Sequence, residues 1–395
     1  MMENIGANAY RFSISWPRIF PQGTGTPNPK GLDFYNRLVD ELKSAGIESF
    51  PTLYHWDLPQ ALQDKGGWQS RDTATAFADY AGYMAEKLSD RVHHFFTLNE
   101  IRNFTDTGYR GLEVKVGNGV VRLENAPGLK VAPAELNQVR HHAVLAHGMA
   151  VQAIHARGKK GTQCGPADVL SGAVPLIETE EHIRAAQNAT RELNAPFPLT
   201  VILEGKYTDA YLKEAAGDAP KFTAEDLKII SEPMDFVGIN IYKPSMYVLA
   251  ANNATGYREI PYNKSHPRMF SSWHLFGPES LYWGPKLVRA LWKPNIIYIT
   301  ENGCAADDAL AEDGNIYDTD RIMLLRSYLT QLQRATADGV PVKGYFQWST
   351  MDNFEWIYGY GNRFGLVYVD FKTQKRTPKL SAKWFRETAR QNRVM

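Results

Sequence analysis

The chain has 395 residues, 44% of them apolar and 22% charged, which is ordinary for a globular protein. Lys and Arg total 44 against 43 Asp and Glu, so no global field draws the chain to nucleic acid or to an anionic membrane. No apolar run is long enough to span a bilayer, and two cysteines, Cys164 and Cys304, make neither a disulfide framework nor a zinc site without other ligands.

Strand-like runs alternate with amphipathic helical stretches. The first strand is Ala9 to Ser15, and a helix from about Leu32 to Ser44 follows, with Leu38, Val39 and Leu42 on one face. The second strand is Glu48 to Tyr54. A helix near Ala74 to Leu88 leads to the third, His94 to Asn99. A long helix, Pro133 to Arg157, precedes a weaker strand around Gly161 to Leu170. Helices near His182 to Leu193 and Thr208 to Glu214 come before the strand Asp235 to Tyr242. An irregular stretch from Lys243 to Phe276 follows, rich in Asn, Pro, Ser and aromatics. A helix ending at Leu291 feeds the strand Asn295 to Thr300. A helix from Asp318 to Asp338 then leads to the strand Val342 to Trp348, and the last helix runs from Pro378 to Gln391.

Strands separated by helices imply a parallel sheet in an α/β fold. No glycine-rich phosphate fingerprint follows the first strand, so a dinucleotide fold is disfavoured. Polar and aromatic residues gather at strand C-terminal ends and in the loops after them. That is the active face of a (β/α)₈ TIM barrel. With no repeat, low-complexity tract or linker, residues 1–395 read as one domain.

Two of these strand ends carry a glutamate: Thr97-Leu98-Asn99-Glu100 and Tyr298-Ile299-Thr300-Glu301-Asn302-Gly303. Carboxyls at the ends of two parallel strands can face one pocket. Cleavage of a glycosidic bond needs such a pair, one group to protonate the leaving oxygen and one to attack the sugar carbon. The aromatic load fits, because the C–H face of a sugar ring is apolar.

Five motifs then stand in one order: Tyr10-Arg11-Phe12-Ser13-Ile14-Ser15-Trp16, Tyr54-His55-Trp56-Asp57-Leu58-Pro59, Thr97-Leu98-Asn99-Glu100, Ile299-Thr300-Glu301-Asn302-Gly303 and Asp352-Asn353-Phe354-Glu355-Trp356. In this the whole chain resembles glycoside hydrolase family 1, whose best-known members are β-glucosidases. The resemblance implies a retaining β-glycosidase that acts on β-D-glucosides or short β-linked oligosaccharides, with β-galactosides and β-fucosides left open. It implies Glu301 as nucleophile and Glu100 as acid/base, joined by a covalent glycosyl-enzyme. Arg11 and Tyr242 match the residues that hold the nucleophile, and Asn99 matches the one that binds the sugar 2-hydroxyl. His55 and Trp356 resemble hydroxyl donors, Trp348 the platform beneath the ring, and Phe364 the border of the 6-hydroxyl pocket. Trp273 resembles the wall of the leaving-group site, while Trp56 and Asn240 join the substrate-binding set. Glu355 resembles the residue that chelates the 4- and 6-hydroxyls. A carboxylate there would repel a 6-phosphate, so a neutral hexoside is implied. Neither metal nor cofactor is called for, since protonation and a carboxylate nucleophile suffice.

The sequence also departs from the family. A strand and helix that normally precede Tyr10-Arg11-Phe12, with a Gln that binds the sugar 3- and 4-hydroxyls, are missing from the pattern. The expectation is therefore a TIM barrel without its first β/α unit. Two exposed parallel edges would invite association, which leaves homo-oligomer formation open, and a catalytically weak or inactive carbohydrate-binding relative is the alternative reading. Ile101 stands where the family usually has Pro, an expected loosening of that loop. The segment Gly111 to Leu129 is unlike the usual loop. No basic stretch followed by an apolar core occurs at Met1 to Gly6, so no signal peptide is expected and the location reads as cytoplasmic, with export left open.

Overall fold

The computed structural model describes residues 2–116, 119–196 and 198–395. The fold is α/β, of the TIM-barrel type with seven parallel strands. The strands are β1 (Ala9–Ser13), β2 (Glu48–Tyr54), β3 (His94–Asn99), β4 (Gln163–Val169), β5 (Val237–Asn240), β6 (Ile297–Asn302) and β7 (Val342–Gln347). All seven fall where the sequence places them. Their spatial order is their chain order, without the reversal that marks a doubly wound sheet. Every residue of β6 is buried, and in β2 and β3 all but the first, as expected of parallel strands covered on both faces. The terminal strands β1 and β7 are mostly half-buried.

The chain divides into two compact units. The first holds Ala9–Val169 and Glu192–Gly238 and contains Glu100. Its helix Pro29–Ser44 starts at Asn28, whose side chain accepts the Lys30 N–H at 3.2 Å, with Pro29 at the first helical position. Tyr35, Val39 and Leu42, spaced i, i+4, i+7, form its buried face. Helix Arg71–Leu88 starts at Ser70, which caps the Asp72 N–H. It buries Tyr80, whose ring stacks on Trp16 at 5.3 Å and whose hydroxyl donates to the Leu53 carbonyl at 3.0 Å. In helix Pro133–Arg157, a Cβ on Gly148 would collide with the Ile229 carbonyl, so only glycine allows that approach.

The second unit holds Met1–Asn8, Leu170–Arg191 and Ile239–Met395 and contains Glu301. Its interior is tied by charge as well as by apolar packing. Arg321 and Lys379, both fully buried, share Asp308 at 2.8 and 2.6 Å, and Lys379 also reaches Asp352 at 2.7 Å. The stretch expected to be irregular contains two antiparallel strands, Met246–Ala250 and Tyr257–Ile260. The first also pairs with Ala173–Pro175. Sequence pattern misses them because burial does not alternate along either strand: Val248 alone is buried in the first, and the adjacent Arg258 and Glu259 are both exposed in the second. In the first unit, the unusual segment Gly111 to Leu129 contains a hairpin, Leu112–Val116 with Gly119–Leu123; Gly117 and Asn118 lie outside the described residues. Among the described residues no helix is long and apolar enough to cross a membrane.

Candidate active site

Glu100 follows the last residue of β3 and is the N-cap of the helix Ile101–Tyr109. Its backbone is left-handed, φ 48° and ψ 63°, a conformation that disfavours a residue with a Cβ and concentrates at functional sites. Two bonds hold it there. Its N–H donates to the Ala167 carbonyl at 2.9 Å, and the Asn103 amide donates to Oε2 at 2.6 Å. Ile101, where the family usually has Pro, is fully buried and opens the helix. An apolar side chain in the core anchors the turn in place of the ring constraint of Pro.

Asn99, the last residue of β3, is oriented from three sides. Its Oδ1 accepts from the Arg11 guanidinium at 2.6 Å, its Nδ2 lies 3.3 Å from His55 Nε2, and its carbonyl accepts from Trp56 Nε1 at 3.0 Å. Arginine can only donate, so the amide oxygen must face Arg11 and the amide nitrogen His55. Burial, and then the Arg11 charge, push the His55 imidazole down to about 3. His55 is therefore neutral, accepts at Nε2 and carries its proton on Nδ1. Arg11 also donates to Thr52 at 3.1 Å and lies 5.4 Å from the Phe96 ring centre. Trp56, with φ 82°, is a second left-handed residue.

Glu301 lies within β6 and is buried, 5% exposed. The Tyr242 hydroxyl donates to Glu301 Oε2 at 2.9 Å. Tyr242 is itself fixed, because its carbonyl accepts from Tyr328 at 2.8 Å and lies 2.8 Å from His274 Nε2. Trp273 meets the Tyr242 ring edge-on at 5.4 Å, and Phe364, buried, does so at 6.4 Å. Asn240 is fully buried, with Oδ1 accepting the Thr300 hydroxyl at 2.6 Å. Past the end of β7, Trp348 Nε1 donates to Glu355 Oε2 at 3.2 Å. Burial chiefly, and the Glu301 charge after it, push the Glu355 carboxyl up to about 7, against the pull of the Trp348 bond. Trp356, with φ 46°, is the third left-handed candidate.

Each unit thus gathers its own candidates. Arg11, His55, Trp56 and Asn99 converge in the first, with Glu100 next to Asn99 in the chain. Tyr242, Trp273, Glu301 and Phe364 converge in the second, as do Trp348 and Glu355. Sequence reasoning missed three residues. Asn103 holds Glu100, and its only signal is the i, i+3 spacing on a helix. Asp168, on β4, is buried, and burial pushes its carboxyl up to about 7 while the Val169 and Ile101 N–H groups and the Arg102 charge oppose. The third is Gly303, which does more than turn the chain. A Cβ there would collide with the Trp348 carbonyl, so the glycine after Glu301-Asn302 is required by close approach of backbone.

Comparison with known proteins fixes the family. The family model described as Glycosyl hydrolase family 1 matches residues 1–394. The chain belongs to glycosyl hydrolase family 1. Among curated family 1 proteins, it is 42% identical to the 1,4-beta-D-glucan glucohydrolase of Thermotoga neapolitana over 392 residues, covering 99% of this chain and 85% of the relative. It is 40% identical to beta-glucosidase A of Thermotoga maritima, covering 99% of this chain and 84% of the relative. Among solved family 1 structures, the Thermotoga maritima beta-glucosidase in complex with deoxynojirimycin superposes with a TM-score of 0.85 at 39% identity, over 100% of this chain and 85% of that one.

Proposed function

We propose that the chain is a retaining β-glycosidase that hydrolyses β-D-glucosides, with its activity in one catalytic domain spanning residues 1–395. The observation that carries the reading is the Tyr242 hydroxyl on Glu301 Oε2 at 2.9 Å, a donor that fixes one carboxylate rotamer at a strand end. Family membership and the glucosidase names of the relatives support the substrate class.

In the first step, Glu301 attacks C1 of the sugar as a carboxylate. The bond from C1 to the leaving oxygen breaks, and Glu100 gives that oxygen its proton. A glycosyl ester on Glu301 results. In the second step, Glu100, now ionised, takes a proton from water while the water oxygen attacks C1, and Glu301 leaves as carboxylate. Retention requires the two carboxyls about 5–5.5 Å apart. Asn99, oriented by Arg11 and His55, offers its amide to the sugar 2-hydroxyl, a bond that strengthens as C1 becomes cationic. Glu355 and Trp348 form a polar, flat-faced corner for the far side of the glycone, and a carboxyl there selects a neutral sugar over a 6-phosphorylated one.

The test is hydrolysis of 4-nitrophenyl β-D-glucoside by the full chain, with Glu301→Ala as control. Release of β-glucose that the mutation abolishes supports the reading. A protein that melts cooperatively and binds glucoside without turnover would replace it with that of a carbohydrate-binding relative.

A further inference from the structure

Far along β4 from Asp168, a second cluster has no part in the chemistry above. Among the described residues one trio of metal-ligating side chains converges: His155, Cys164 and Asp235, whose ligand atoms all lie within 4.8 Å of one another. Cys164 is the second residue of β4, Asp235 stands two residues before β5, and His155 is in the last turn of helix Pro133–Arg157. All three belong to the unit that contains Glu100, at strand starts rather than strand ends.

The distances have a particular form. His155 Nε2 is 2.9 Å from Asp235 Oδ2 and 3.7 Å from Cys164 Sγ. A tetrahedral divalent cation with bonds of about 2.0 Å to nitrogen or oxygen and about 2.3 Å to sulfur sets nitrogen and oxygen roughly 3.3 Å apart and either of them roughly 3.5 Å from the sulfur. The His155–Asp235 edge needs to open by a few tenths of an ångström, and the His155–Cys164 edge to close by about as little. The backbone already holds two corners: the Cys164 N–H donates to Asp235 Oδ2 at 2.8 Å, and the Asp235 N–H donates to the Cys164 carbonyl at 3.0 Å. His155 and Asp235 are about one-third exposed, at 35% and 31%, whereas Cys164 is fully buried. An ion would enter from the His–Asp side and meet the sulfur last. A single Nε2 serves both neighbours poorly. With its proton it donates to Asp235 and cannot accept from the thiol; without it, a lone pair faces a carboxylate oxygen. A cation satisfies all three atoms together.

We propose that His155, Cys164 and Asp235 form a binding site for a borderline-soft divalent cation of the zinc class, with water in the fourth position. Binding replaces the Sγ–H bond by a metal–sulfur bond and releases that proton to solvent, so affinity rises with pH. The mixed N, S, O donor set excludes magnesium and calcium, which take oxygen ligands. The ion would clip the end of one helix to the starts of two strands, so its role is structural, and the glucosidase reading is not needed for it.

The experiment is a titration of the reduced, metal-free full chain with Co²⁺, followed by absorption. The expected result is one equivalent bound, with thiolate-to-cobalt charge-transfer absorption in the near ultraviolet that Zn²⁺ displaces. Cys164→Ser abolishes that band and Cys304→Ser leaves it intact. His155→Gln, at a partly exposed position and therefore mild for folding, shifts saturation to higher Co²⁺, as does Asp235→Asn. Zn²⁺ raises the melting temperature of the unmodified chain and not that of Cys164→Ser. Absence of the band at saturating Co²⁺ overturns the proposal, as does a band that persists in Cys164→Ser.

Discussion

The two glutamates are presented in opposite ways. Glu301 sits within a wholly buried strand, at the point where its pairing with β7 shifts register, and a phenol on a fixed ring donates to it. Glu100 sits one residue beyond a strand, in a left-handed turn that also starts a helix, and an amide three residues on donates to it. A group that forms and breaks a covalent bond must keep one rotamer and one trajectory, which a strand and a rigid aromatic ring supply. A group that gives up a proton and takes it back needs reach toward the leaving oxygen and then toward water. A turn held by a local amide supplies that reach. The difference in backbone setting therefore parallels the difference in proposed roles.

The strongest way to break the comparison is to delete each carboxyl. Glu301→Ala should lower kcat by roughly 10⁴-fold or more, as loss of a nucleophile does, and azide should partly restore turnover by forming the opposite anomer of glycosyl azide. Glu100→Ala should cost roughly 10²–10⁴-fold on substrates with poor leaving groups and far less on 2,4-dinitrophenyl glucoside. Equal losses on both substrates would remove the acid role from Glu100. The next test removes the donors. Tyr242→Phe loses a bond to a charged group, about 1.5–3 kcal/mol, or about ten- to a hundredfold in kcat/KM. Asn103→Ala removes the amide that holds Glu100 and should cost activity chiefly on substrates with poor leaving groups, whereas Tyr242→Phe should cost it on good and poor leaving groups alike. If both variants showed the same dependence on the leaving group, the assignment of the two donors to separate roles would fail.

The strand ends were legible because hydrophobic period and turn chemistry are local. All seven strands could be read from local pattern, most plainly where a run such as Phe95 to Leu98 buries every residue, and both glutamates stand at or next to strand ends. What stayed hidden depends on contacts distant in sequence. Nothing near Asn99 announces that Arg11, 88 residues away, orients its amide. Nothing near Ile101 shows that its side chain finds a core position. Gly303 illustrates the limit. An Asn-Gly pair signals a turn in any sequence, yet here the constraint is the carbonyl of Trp348, which only the folded chain brings close. Gly303→Ala should therefore destabilise by about 1–3 kcal/mol, measured by urea midpoint at constant slope. A neutral result would mean that the ends of β6 and β7 have room to part.

The smallest expected effect concerns a third carboxyl, and it sharpens the contrast because it reads out the charge on Glu301. Glu355 is raised from its ordinary 4.5 to about 7, first by burial and then by Glu301. An acid that binds its proton more tightly in the folded chain than in the unfolded one opposes folding once the unfolded group ionises. The penalty is nil below about pH 4.5, grows as pH rises, and is complete above about pH 7. Glu355→Gln keeps an acceptor for Trp348 Nε1 but removes the charge. It should leave stability unchanged at pH 4 and raise it by about 1–2 kcal/mol at pH 8, a figure reduced by solvent because Glu355 is only half-buried. Made in a Glu301→Gln background, the same substitution should stabilise less, since part of the upward push on Glu355 is already gone. The double-mutant cycle isolates that part, and a coupling of zero would mean that burial alone raises Glu355.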